Sequence, residues 1–422
     1  MNPELIKRRL IEQEGIRKEI TEKNLVYREK QEEVTKLMKT NLIKSIIGPR
    51  RAGKTTLGLI SLKKDFYYIN FDDEVLSTLR PTQLGYLLEY CNELFGKRKK
   101  IMLDEIQNIK KWELFVNRLQ RLNYNVLITG SNSKLLSKEL STHLGGRSLP
   151  IELLPFSFRE FLRARKIGIK QGDVGIGVLK RALEKYMLMG GFPEVIINDF
   201  KKELRNSYYR EIFRTIVERD ITQRHNLRYP NEIKTLALLL MNYFSSRISL
   251  RKLSRDLGIS VHTIKNYLYY LEEAYLFITS KKYSTKPKES ELSLRKIYCI
   301  DTGIINSFKA NPSKDFGRLM ENAVAIELKR RGFPLYYYLS DDNKEVDFVI
   351  KKNNKIRWVV QVVYDNNGIP DRELKNGLKA CKELKCKNLI IITWDKESST
   401  RKGGIKIVYK PLWKFLLDKD IK

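Results

Sequence analysis

The sequence predicts an α/β protein, with a helix-covered parallel sheet first, then a helical middle and a smaller α/β unit at the end. Three observations carry this. Between about residues 41 and 155, β-branched runs (NLIKSII, FYYINF, KIMLDE, NVLITG) alternate with helical stretches, as crossovers between parallel strands require. A glycine-bearing turn, GPRRAGKT, sits between the first run and an apolar-periodic helix. A turn-rich joint, SFKANPSKDFG, precedes a last segment in which strand and helix patterns return.

At 422 residues the chain exceeds a single core and should hold about three domains. No apolar run approaches the ~18 to 20 residues of a membrane span. The N-terminus, MNPELIKRRLIEQEG, lacks a signal-type apolar stretch, so a cytoplasmic protein is expected. Lys plus Arg is 81 against 50 Asp plus Glu, a formal charge of +31. Such an excess points to a polyanionic partner, because neutralising phosphates releases counterions. Lysine decorating the surfaces of a protein from a hot or AT-rich source is the alternative. The four cysteines lack zinc-site spacing, and three histidines are too few for a His-rich metal centre, so reduced, buried thiols are expected.

Residues 1–40 form an expected N-terminal helical segment, with Leu and Ile at three- and four-residue steps from residue 4 onward. Next, Gly48 to Thr55 fits G-x-x-x-x-G-K-[ST] at every fixed position, with a strand before it and a helix after it. Gly48, Pro49, Arg50, Arg51, Ala52, Gly53, Lys54, Thr55 and Thr56 are the candidate phosphate cradle. Its backbone N–H groups and the positive end of the following helix face phosphate, Lys54 reaches the β- and γ-phosphates, and Thr55 ligates Mg²⁺. KKIMLDEIQ then reads as a buried strand ending in two acids. Asp104 is the candidate for the Mg²⁺ shell and Glu105 for the base that orients and deprotonates water. The strand YNVLITGSNS ends in Thr129, Ser131, Asn132 and Ser133, which are either turn residues or a γ-phosphate sensor, with Asn132 the choice for that role. Arg147 in HLGGRS suits an arginine finger and is equally readable as one more surface arginine.

Together these stretches resemble the AAA-type ATPases, and more narrowly a prokaryotic, largely archaeal group. In that group an AAA core precedes a winged helix and a C-terminal restriction-endonuclease-like domain. The likeness runs through GPRRAGKTT, KKIMLDEIQ, TGSNSKLLSKELSTHLGGR, PFSFREFL, GGFPEV, GRLMENAVAIEL and EVDFVI. It implies a three-layer P-loop NTPase core at 41–160, a helical lid at 161–240, a winged-helix domain at 241–310 and a restriction-endonuclease-like α/β domain at 311–422. It also implies ATP and Mg²⁺ as cofactors, and a homo-oligomer in which Arg147 reaches a neighbour's γ-phosphate. PFSFREFL and GGFPEV belong to the group's pattern without evident catalytic chemistry. Arg210, Arg214 and Arg219 are unranked candidates for a lid arginine.

Residues 249 to 277 carry a helix-turn-helix pattern. Leu250, Leu253 and Leu257 face inward, Gly258 makes the turn, Ser260 caps the next helix, and Ile264, Leu268 and Leu271 form its buried stripe. His262, Thr263, Lys265, Asn266 and Tyr269 lie opposite, as a face able to enter a DNA major groove. The basic loop through Lys286 and Lys288 reads as a wing. A protein dock is the alternative use of such a domain.

Finally, Glu321, Asp347 and Gln361 imitate the acid, acid, amide-or-acid order of a nuclease metal site. Gln361 brings no charge, and Val363 stands where such sites place a lysine, so a degenerate site is expected unless Lys375 or Lys379 enters. The leading expectation is a Mg²⁺-dependent ATPase coupled to duplex or branched DNA. The alternatives are an ATP-gated nuclease using Glu321 and Asp347, and an ATP-controlled protein-interaction switch.

Overall fold

The computed structural model describes residues 2–23, 25–131, 147–169, 172–309, 315–364 and 368–421. It divides into two compact units, Met1–Pro155 and Phe156–Lys422.

The first unit is built on β1 (Ile43–Ile47), β2 (Phe66–Asn70), β3 (Lys100–Asp104), β4 (Asn125–Gly130) and β5 (Ser148–Glu152). They pair in the order β2-β3-β4-β1-β5, every pair parallel. Side chains alternate across the sheet, so each strand feeds two cores. Ile101 and Leu103 pack on one face with the helices Pro3–Glu22, Leu84–Phe95 and Trp112–Arg121. Met102 packs on the other face with Leu57, Leu59 and Leu62 of the helix Lys54–Leu62. The result is a three-layer α/β sandwich with β4 at the centre of the sheet and β1 between β4 and β5.

The expected single helix over residues 4–40 is two helices, Pro3–Glu22 and Gln31–Leu37. Between them Arg28 is buried, donating from Nη1 to Ala52 O and from Nη2 to Leu154 O, both at 2.7 Å. A continuous helix would not deliver this arginine to the phosphate loop.

In the second unit, β6 (Ser246–Ile248), β7 (Phe277–Lys282), β8 (Arg295–Cys299), β9 (Tyr336–Leu339) and β10 (Glu345–Val346) form one sheet, ordered β10-β9-β7-β8-β6. A second sheet holds β11 (Phe348–Lys352), β12 (Lys355–Val362), β13 (Asn388–Thr393), β14 (Ser398–Lys402) and β15 (Ile405–Pro411), ordered β11-β12-β13-β15-β14. The boundaries expected near 240 and 310 do not separate packing units. β9 lies in the same sheet as β7, paired to it in parallel, so chain on either side of residue 310 shares one set of ladder hydrogen bonds. The residues expected as a lid, 161–240, also belong to this unit.

The two motifs without evident chemistry are joints of this second unit. Ser157 caps the helix Phe158–Ala164 and exchanges bonds with Glu160 in a capping box. Arg159 reaches Glu327 at 2.9 Å and Asp418 O at 3.1 Å. In GGFP, Gly191 O accepts from Phe156 N at 2.6 Å, and Gly191 N donates to the buried Asp301 carboxylate at 2.7 Å. Gly190 has φ +79°, and a Cβ there would lie 2.1 Å from Asp301 Oδ1, so no larger residue fits.

Candidate functional site

The phosphate-loop residues occupy the turn between β1 and the helix Lys54–Leu62. Gly53 adopts φ +89° as the residue capping that helix, and Arg51 is also left-handed at φ 64°. Gly48 runs against the residue that follows β5, where a Cβ would meet Leu153 O at 2.0 Å. The glycines therefore serve backbone conformation and close approach, as the motif's chemistry requires. Lys54 is buried, with Nζ donating to Pro49 O at 3.0 Å and 4.0 Å from Glu105 Oε1.

Strand pairing brings the second half of the site to this turn. Asp104 ends β3, and its two carboxylate oxygens accept from Thr55 Oγ1 at 3.0 and 2.9 Å. Tyr68 on β2 donates to Asp104 Oδ2 at 3.0 Å, and Thr129 on β4 donates to Oδ1. Burial, and then the Glu105 carboxylate, push Asp104 up to about 6, while the hydroxyls of Thr129, Thr55 and Tyr68 pull it back. Glu105 is held left-handed, at φ 50°, by its N–H bond to Thr129 Oγ1 at 3.1 Å. Backbone strain of this kind costs roughly 1 to 3 kcal/mol and persists where surroundings over-determine it. The donor set of hydroxyl and carboxylate oxygens fits a hard divalent cation such as Mg²⁺.

The structure brings the sequence-predicted Lys54, Thr55, Asp104 and Glu105 together, along with Thr129, which the sequence offered only as one of four polar strand-end residues. Sequence reasoning missed Arg28 and Tyr68, which no local pattern flags. Asn132 lies outside the described residues. Arg147 is exposed at the start of β5, where its carbonyl accepts from Ile43 N at 2.9 Å.

Helix-turn-helix expectations hold at the caps. Gly258 is left-handed at φ 68°, and Ser260 accepts from Thr263 N at 3.0 Å. Leu253, Ile264, Leu268 and Leu271 are buried, whereas Leu250 and Leu257 are half-buried. His262, Lys265, Asn266 and Tyr269 are exposed on the helix Val261–Glu273, while Thr263 is half-buried beside Ser260. The expected wing is corrected: a short helix, Pro287–Leu292, occupies that connection, with Lys286 as its cap and Lys288 inside it.

The nuclease-like residues gather differently from expectation. Lys296 on β8 is buried, and its ammonium contacts Glu321 and Glu345 at 2.7 Å and Asp347 at 2.9 Å. Tyr298 donates to Glu321 at 2.7 Å. Burial, and then Asp347, push Glu321 up to about 8. Burial opposes the Lys296 charge, but Asp347, Glu321 and Glu345 hold it well above the usual lysine range. Gln361 turns its amide to Asp347 N at 3.3 Å and to Glu373 at 2.9 Å. Lys379, expected as a possible entrant, pairs instead with Asp342 at 2.7 Å. Among the described residues no group of three or more His, Cys, Asp or Glu side chains is placed to hold an ion.

A parallel three-layer sheet carrying a phosphate loop, with an Asp-Glu pair at the end of β3, defines an AAA-type P-loop ATPase, and residues 40–162 match the family described as AAA domain. Residues 180–315 and 316–413 match two families each described as a domain of unknown function. The chain belongs to the same family as "Uncharacterized protein MJ1544" of Methanocaldococcus jannaschii, at 39% identity over 89% of this chain and 88% of that one. An uncharacterized protein of Haemophilus influenzae is 30% identical over 89% of this chain and 94% of its own length. A solved STAND ATPase with a tetratricopeptide repeat sensor from Pyrococcus horikoshii aligns at 15% identity and TM-score 0.29. It covers 72% of this chain and 45% of that structure, a likeness too weak to carry a statement about this one.

Proposed function

We propose that this protein is a Mg²⁺-dependent ATPase that couples hydrolysis to binding or remodelling of DNA. The observation that carries the proposal is the meeting of Thr55, Asp104, Thr129 and Glu105 beside the Lys54 loop, across three parallel strand ends. Thr55 and Asp104 would hold Mg²⁺, which when bound would supply positive charge against the nucleotide's phosphates. Lys54 supplies fixed positive charge to the same phosphates, and Glu105 orients the attacking water and takes its proton. Thr129 fixes both acids at once, accepting from the Glu105 backbone and donating to Asp104. Asn132 and Arg147 complete the reading as sensor and finger in a homo-oligomer.

The DNA half is supported by the +31 charge and by the exposed polar face of the helix Val261–Glu273. The order of helix Pro230–Asn242, β6, helices Leu250–Leu257 and Val261–Glu273, then β7 and β8, supports the winged-helix reading. Cleavage by Glu321 and Asp347 is disfavoured because the Lys296 ammonium engages both carboxylates.

The test is Glu105→Gln alongside Lys54→Ala. Glu105→Gln should still bind ATP while turnover falls by about 10² or more, the usual loss for a general base. Lys54→Ala should weaken ATP binding itself. Wild-type turnover in Glu105→Gln would show that the base is misassigned.

A further inference from the structure

At the end of the second sheet of the Phe156–Lys422 unit, the strands collect cations without acids. β12, β13 and β15 are mutually parallel along the row β12-β13-β15, so their N-terminal ends share one sheet edge. β11 and β14 flank them antiparallel, so their C-terminal ends lie on that edge too. One row across the sheet reads Val349, Val359, Leu389, Ile407 and Thr400. Beyond it lie the stretches KKNNKIR (351–357), KCKN (385–388) and RKGGIK (401–406), which hold nine Lys or Arg and no Asp or Glu. The chain as a whole carries 50 acids against 81 cations, so this local purity is not a sample of the average.

Eight of the nine cations are exposed and Lys351 is half-buried. Among the described residues none of the nine side chains enters an ion pair or side-chain hydrogen bond. The nearest acid on the preceding helix, Glu383, is engaged by Tyr338 and Lys379. The turns are built to hold the charges in place. Asn353 and Asn354 are left-handed at φ 52° and 58°, and Gly403 and Gly404 at φ 58° and 76°, as tight two-residue hairpins require. Protection of an open sheet edge would account for Arg401 and Lys402 on β14. It does not account for Lys385 and Lys387, which lead into the central strand β13.

We infer that this edge binds the phosphodiester backbone of a nucleic acid duplex. Five strands at ~4.8 Å spacing present a row about 19 Å long. Over that length a duplex carries about eleven phosphate charges, at one per ~1.7 Å. No large exposed apolar side chain lies on the three stretches, so a lipid surface would find charge but no anchor. The edge also lies at the opposite end of β12 from Gln361 and the acidic cluster, and so forms a separate surface. The inference rests on the nucleic-acid half of the proposed function and locates a contact that the helix-turn-helix face does not include.

The test compares the full-length protein with a variant carrying Lys352→Gln, Lys355→Gln, Arg401→Gln and Lys402→Gln. Affinity for a 24-base-pair DNA duplex, the matching RNA duplex and vesicles containing an anionic phospholipid is measured from about 50 to 200 mM salt, the range over which phosphate contacts dominate. Loss of four phosphate contacts should weaken duplex binding by about 100-fold or more at 50 mM. It should also make the slope of log affinity against log salt shallower by about 3 to 4. Loss on both duplexes assigns the backbone in general, and loss on one supports the inference for that nucleic acid. Unchanged duplex affinity overturns it, including the case where only vesicle binding falls. ATP turnover without nucleic acid should match wild type, which separates this failure from failure of the ATPase reading. Should Lys265→Gln with Asn266→Ala abolish duplex binding while the edge variant binds normally, the edge is not the site, though the DNA reading stands.

Discussion

The Lys296 ammonium lies 2.9 Å from the Asp347 carboxylate and 2.7 Å from Glu321, joining a strand of one sheet to the acids that the sequence offers as a degenerate nuclease site. A buried lysine thereby provides the positive charge that a metal ion provides in an active nuclease. Replacing it with Met leaves three acids facing one another, one of them the half-buried Glu345. Breaking such a buried pair costs roughly 3 to 5 kcal/mol. Lys296→Met should lower the thermal midpoint by several degrees, and the wild-type protein should leave plasmid DNA intact in Mg²⁺ or Mn²⁺. Efficient wild-type cleavage abolished by Asp347→Ala would refute this account.

Glu321 also sets a pH dependence. Its carboxyl is raised to about 8 in the folded protein by burial and by Asp347, above the ordinary value of 4.5. The folded state therefore retains a proton that the unfolded chain releases. This contribution is complete below about 4.5 and is lost as pH rises through 8. Thermal melts should show stability declining across that window, and Glu321→Gln should flatten the decline. Identical slopes in the two proteins would mean that Glu321 titrates normally.

Thr129 bonds the Glu105 N–H and the Asp104 carboxylate, so the role argued for it is positioning. Thr129→Val removes the donor to Asp104 and the acceptor of the Glu105 N–H. The expected result is a 10- to 100-fold fall in kcat, about 1.4 to 2.7 kcal/mol, with nucleotide affinity nearly unchanged. Thr129→Ser should restore most of the rate, and the pH–rate profile of the valine variant should shift with the altered Asp104 environment. Equal losses in both variants would point to packing instead.

Arg28 braces the phosphate loop through the carbonyls of Ala52 and Leu154. Arg28→Met keeps most of the volume and abandons both charged hydrogen bonds, each worth roughly 1.5 to 3 kcal/mol. Nucleotide affinity should fall about 10-fold or more, with a lower melting midpoint. Isothermal titration with a nonhydrolysable ATP analogue measures the first effect. Wild-type affinity in that titration would remove Arg28 from the site.

Much of the nucleotide site was legible because its requirements are local. Gly48 and Gly53 answer a backbone demand within one turn, the alternation Ile101-Met102-Leu103 announces a strand with two buried faces, and Asp104-Glu105 ends it. The caps at Gly258 and Ser260 were legible for the same reason. Arg28 was hidden inside what reads as continuous helix. Lys296 was hidden in a segment expected to belong to another domain, 51 residues before Asp347.

By itself, then, the sequence determined the α/β core, the phosphate loop, the acidic pair and the excess of positive charge. Only the tertiary structure decided that Lys296 neutralises the acidic cluster, that Asp301 ties GGFP to the loop after β8, and that three scattered basic stretches meet on one sheet edge. The physical reason is range. Turn geometry and side-chain alternation are written into consecutive residues, whereas a buried charge finds its partner through strand register, and register emerges only when distant segments pack.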